Sequence, residues 1–110
     1  MNIQELAVKL ELETLVAPPS GIPAVEGCYI GDLLSWVMGR AKENDVWLTV
    51  MGNVNAIAVA KLADISGIVL CENAPLDEEA RVQAEANGIA VYITSTPSYE
   101  LALRIGALLS

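Results

Sequence analysis

Apolar residues along this chain fall into short blocks rather than one long stripe. The block Val46-Trp47-Leu48-Thr49-Val50-Met51 is apolar at both parities apart from Thr49. A strand with one wet face alternates, whereas one that is apolar throughout is buried on both sides, as in a parallel sheet covered by helices. Two further blocks, Ile68-Val69-Leu70-Cys71 and Ile89-Ala90-Val91-Tyr92-Ile93, repeat the arrangement. The starts at 46, 68 and 89 give a period of 22 and then 21 residues. Each block is followed by a turn and a stretch with helical spacing, which predicts three βα units with right-handed crossovers. The predicted helices run over 55–65, from an Asp77 cap to Asn87 with Gly88 beyond it, and from Thr96 as N-cap with Pro97 at N1 to Leu109.

Upstream, Ile3, Leu6, Ala7 and Leu10 predict a helix over 3–10, and 12–16 read as a brief strand. Three prolines and a Ser-Gly make 17–27 a connector, and 24–30 supplies a further strand candidate. Asp32 is placed to cap a helix whose inner face is Leu33, Leu34, Val37, Met38 and Ala41 and which ends near Lys42. The pattern therefore predicts one α/β domain over 1–110: three layers, with a mostly parallel sheet of about four to five strands and helices on both faces.

Composition narrows the function classes. The formal net charge is −8, and the six basic residues are scattered. Nucleic acid and anionic membrane surfaces both require clustered Lys and Arg, so neither is an expected partner. Hydrophobic residues make up 54% and charged residues 18%, against the ~25% charged of an average domain. An apolar excess of this kind in a small domain points to burial in a homodimer. There is no histidine, and Cys28 and Cys71 form no CxxC, so no metal site is expected. Two reduced thiols fit a cytoplasmic protein. The N-terminus carries acids where a signal peptide needs cations, and no apolar run approaches the ~20 residues of a membrane span.

Ligands of parallel α/β sheets sit beyond the carboxyl ends of the strands. The pattern places Gly31-Asp32, Gly52-Asn53-Val54-Asn55, Glu72-Asn73 and Thr94-Ser95-Thr96 there. Gly52 would let a ligand approach the backbone, Asn53 and Asn55 would cap or donate, and the 94–96 hydroxyls would meet a phosphate or carboxylate. The candidate ligand-binding residues are thus Gly31, Asp32, Gly52, Asn53, Asn55, Glu72, Asn73, Thr94, Ser95 and Thr96. Neither GxxxxGK[ST] nor GxGxxG is present. A capped turn is therefore the expectation at Gly52, and a plain helix cap at Thr96. The run Asp77-Glu78-Glu79 opens a helix, where solvated acids are favoured by the dipole. Trp47 is expected in the core. Trp36 is placed at the rim of its helix, with core packing expected over a subunit contact. No catalytic residue and no cofactor is assigned.

The segments "GCYIGDLLSWVMGRAKENDVWLTVMGN", "GIVLCEN", "APLDEEARVQAEANGIAVYIT" and "SYELALRI" resemble the DRTGG domain family over roughly residues 1–109. That module occurs in family II pyrophosphatases with CBS domains, in some phosphotransacetylases and as stand-alone proteins. It is also similar to the N-terminal region of the serine kinase acting on HPr. Where the family often has Gly-Asp-Arg, this chain has Gly52-Asn53-Val54. In the neighbourhood of the family's Thr-Gly-Gly stand Leu70-Cys71-Glu72-Asn73. The resemblance implies a dimerising regulatory α/β module without chemistry of its own. The expected function is a non-catalytic, self-associating domain that modulates a metabolic enzyme or signalling partner. The alternative is a sensor of small anions or adenine nucleotides in the carboxyl-edge crevice.

Overall fold

The computed structural model describes all 110 residues. In chain order the elements are α1 (Ile3–Lys9), β1 (Glu13–Val16), β2 (Gly27–Ile30), α2 (Leu34–Arg40), β3 (Asp45–Thr49), α3 (Val54–Leu62), β4 (Gly67–Leu70), α4 (Glu78–Asn87), β5 (Val91–Ile93) and α5 (Ser98–Leu109). One five-stranded sheet has the order β1-β5-β4-β3-β2. Strands β2 to β5 are parallel to their neighbours, and β1 is antiparallel to β5, with a register shift between Thr14 and Val16.

The layers follow from strand alternation. Trp47, Ile68, Leu70 and Val91 point to one face and pack with Val37 of α2, Ile57 and Ala60 of α3 and Ala80 and Ala84 of α4. Val46, Leu48, Val69 and Tyr92 point to the other and meet Ile3 and Leu6 of α1 and Leu101 and Ile105 of α5. All five residues of β3 are buried, as a strand apolar at both parities requires. The fold is thus the three-layer, mostly parallel α/β arrangement that the blocks predict.

Local signals set several ends. Asn2 and Glu5 form a reciprocal capping box on α1, with Glu5 N donating to Asn2 Oδ1 at 2.8 Å and Asn2 N donating to Glu5 Oε1 at 2.9 Å. Gly88 closes α4 in the left-handed region at φ 67°.

Other ends depart from expectation. Helix α3 stops at Leu62 rather than 65, because Ala63 is its C-cap and Asp64 turns left-handed at φ 53°. Strand β2 begins at Gly27 because Ala24 bridges back to Asn2 instead of joining the β3 ladder. Pro97, not Thr96, is the N-cap of α5, so Ser98 is its first helical residue. Leu33 is the N-cap of α2 with no side-chain cap bond, so Asp32 does not cap it. Helix α2 has only two turns and fully buries only Val37. Leu33 and Met38 therefore lie exposed rather than on an inner face, and Trp36 is 53% exposed instead of packed in the core. The Arg40 guanidinium lies 3.6 Å from the Trp36 ring centroid, a cation–π stack on the surface.

Candidate functional site

The loops after β2, β3, β4 and β5 leave the same edge of the sheet, because those strands are parallel neighbours. This brings all ten sequence-predicted residues to the carboxyl edge. Backbone and side-chain bonds tie each loop to the next. Thr49 Oγ1 and Val50 N both donate to Asp32 Oδ1, at 2.7 and 2.9 Å, joining the β2 and β3 loops. Asp77 N donates to the Gly52 carbonyl at 2.8 Å, joining the β3 loop to the entry of α4. Asn73 N donates to the Thr94 carbonyl at 2.9 Å, and Glu72 N to the Thr96 carbonyl at 3.3 Å, joining the β4 and β5 loops.

Most of the predicted residues bond or pack within this edge, while Asn55 and Ser95 lie exposed on it. A Cβ on Gly52 would stand 2.0 Å from the Pro75 carbonyl oxygen. It is thus the backbone of the neighbouring loop that approaches Gly52. Asn53 is the N-cap of α3 and accepts from Ala56 N at 2.9 Å. Asn55 is exposed in the first turn of α3. Glu72 and Asn73 both adopt the left-handed region, at φ 55° and 56°, a conformation that glycine takes without strain and most side chains resist. Thr96 N and the Thr96 hydroxyl lie 3.2 Å from Thr94 Oγ1, so the two threonines bond each other. Ser95 is exposed beside them, and Gly31 carries the carbonyl that accepts from Trp47 Nε1 at 2.9 Å. None of the four loops holds Lys or Arg, so an anion there would meet only neutral donors.

Two thiols, Cys28 within β2 and Cys71 just after β4, are not reactive centres. Burial first, and the Asp45 carboxylate second, push the Cys28 thiol up to about 12. Burial also raises Cys71, which follows β4. Such thiols stay protonated and inert at neutral pH. The acids opening α4 are exposed, and Arg81 bonds Glu78 and Glu85 along the helix. The Arg81 hydrogen bond holds the Glu78 carboxyl below the usual range. No group of three His, Cys, Asp or Glu is placed to hold a metal ion. No helix is long and apolar enough to cross a membrane.

The largest cavity, about 470 Å³, lies elsewhere, between α3 and α4. Its lining includes Asn55, Ala58, Lys61, Glu79 and Gln83. Of the ten predicted residues only Asn55 reaches it. The rest of this groove is invisible as a site in the sequence, since exposed polar residues at helical spacing look like any solvated face.

No protein-family model matches the chain, and no curated protein matches it. Among solved structures, the chain is similar in fold to the CBS and DRTGG domains of the regulatory region of Clostridium perfringens pyrophosphatase, solved with the activator diadenosine tetraphosphate. The TM-score is 0.69 at 12% sequence identity, covering 93% of this chain. The match takes in 44% of that chain, so this protein spans less than half of the structure it resembles. At such identity the common property is the fold. The neighbour is a regulatory region rather than a catalytic one.

Proposed function

We propose that this chain is a non-catalytic regulatory module that works as a self-associating pair. The observation that carries the reading is the fold in common with a regulatory region over 93% of the chain. The exposed apolar residues Leu33, Trp36 and Leu103 support it, since a sparsely charged domain leaves them without partners in the monomer. In this reading an effector or protein partner acts by population shift. It binds one arrangement of the pair better than another, and moves the equilibrium by no more than that difference in affinity. Light scattering of the full chain from 1 to 500 μM tests this: a dimer is expected, and a monomer throughout rejects the reading.

A second reading has its own support. The neighbour was solved with an adenine-nucleotide activator, and a small effector of that class is the natural candidate for the carboxyl edge here. Exposed Asn55 and Ser95, with the backbone N–H groups of the loops, would be its donors. Calorimetry with ATP, diadenosine tetraphosphate, acetyl phosphate and pyrophosphate is the test. Heat that weakens tenfold in Asn55→Ala and Ser95→Ala supports an effector site at this edge. Silence with every probe rejects it and leaves the self-association reading standing.

A further inference from the structure

We infer that the flank formed by the open edge of β2 and the outer rim of α2 is where a second copy of this chain docks, related by a two-fold axis that runs β2 antiparallel to its counterpart. This rests on the self-association reading above and assigns it a face.

The two sheet edges are treated differently. Strand β1 carries Glu13, follows the left-handed Glu11, and has a register shift at Thr14/Val16, devices that discourage edge pairing. Strand β2 pairs only with β3, and its Gly27-Cys28-Tyr29-Ile30 run has no charge, no proline and no bulge. An edge left this bare is a template for another strand. The same flank exposes Ile30 at 48%, Leu33 at 60% and Trp36 at 53%. With half-exposed Val50 these side chains offer on the order of 400 Å², about half of the ~800 Å² per partner of a standard interface. Edge backbone and the Arg40 stem would supply much of the remainder.

Charge selects the antiparallel arrangement. Arg40 follows Trp36 at the end of α2 that lies toward the amino end of the sheet, with Lys42 just beyond. Asp32 sits at the carboxyl end, and both of its donors bond Oδ1, leaving Oδ2 open. A two-fold axis across β2 turns the amino end of one copy to the carboxyl end of the other. Each Arg40 then approaches the other copy's Asp32, whereas two-fold parallel pairing would flip one sheet and put the two α2 rims on opposite faces. A closed isologous contact of this kind buries both β2 edges at once and leaves only the guarded β1 edges.

The test uses the full chain in sedimentation experiments, with far-UV circular dichroism to confirm folding. Leu33→Glu combined with Trp36→Glu is expected to give a folded monomer, and Arg40→Glu a dimer at least tenfold weaker. Ala58→Glu with Leu62→Glu, in the α3–α4 groove, is expected to leave the dimer intact. Should the first pair fail to fold, amide exchange of the wild type decides: the 27–30 amides are expected to slow as concentration rises. A dimer that survives Leu33→Glu/Trp36→Glu but is lost in the groove variant overturns this face while keeping self-association. Exchange at 27–30 that ignores concentration overturns it as well. A wild-type monomer at all concentrations removes both the face and the reading beneath it.

Discussion

Two glycines show how much the surroundings of a single residue decide. The Cβ of an alanine at 52 would collide with the backbone of Pro75 and Leu76, which no rotamer change relieves. At Gly106, inside α5, an added Cβ meets nothing within 4 Å. Gly52→Ala should therefore destabilise by about 2–4 kcal/mol, while Gly106→Ala should stabilise by about 0.5–1 kcal/mol, as glycine in a helix interior does when replaced. Urea unfolding of the two variants checks both signs. The thiol at Cys28 makes a second residue-level claim. Its ordinary value is 9.0, and in the folded chain burial and Asp45 push it to about 12. The folded state thus holds the proton more tightly than the unfolded one. The associated stability is complete below pH 9 and is lost as pH climbs from 9 towards 12. Burial raises Cys71 and Tyr92 in the same direction. The urea midpoint should fall steadily above pH 9, and Cys28→Ala should flatten that decline. An unchanged slope in the variant would assign the alkaline loss to the other groups.

Between elements, Asp32 acts as a clasp rather than a cap. It spans two loops that the sequence separates by 17 residues, holding the hydroxyl of Thr49, which is 1% exposed, and the Val50 amide. Asp32→Ala leaves the Thr49 hydroxyl proton and the Val50 amide without their acceptor, though Met51 N still donates to the Thr49 oxygen, and should cost about 1–3 kcal/mol. Asp32→Asn keeps an acceptor at Oδ1 and should cost less. Thr49→Val should cost less in the Asp32→Ala background than in the wild type, since the Asp32–Thr49 bond is then already gone and only the Met51 amide loses its acceptor; equal costs in the two backgrounds, read from urea unfolding, would contradict the clasp. This bond also shows what is legible in the chain. Apolar blocks at 46, 68 and 89 announce β3, β4 and β5, because a strand buried on both faces needs apolar residues at every position. Gly88 announces the end of α4, because the signal and its effect sit at one residue. Asp32, Thr96 and Trp36 mislead, because their partners are set by neighbouring loops or by the shortness of a helix. The loops of the candidate edge are legible in place but not in role. A glycine crowded by Pro75 and a glycine open to a ligand are the same letter.

For the whole molecule, a pair is opposed by its own charge. Each copy carries −8, and with extents of 33 × 29 × 25 Å two centres would stand roughly 28 Å apart. In water with no salt their repulsion is about 9 kcal/mol. At 0.01 M ionic strength the Debye length is about 30 Å, which leaves about 4 kcal/mol; at 0.15 M it is about 8 Å, and the repulsion nearly vanishes. The two Arg40–Asp32 pairs of the proposed symmetric contact would pull the other way, but exposed pairs contribute about 0.2–1 kcal/mol each. Net repulsion therefore outweighs them at low salt. Apolar burial at Ile30, Leu33 and Trp36 is unaffected by this screening. The dimer should tighten at least tenfold between 10 and 150 mM sodium chloride, as read by sedimentation equilibrium. Lowering the pH towards the pI of about 4.2 should act in the same sense by removing negative charge. A dimer that loosens as salt rises would mean that ion pairs such as Arg40–Asp32, rather than the apolar flank, hold the copies together.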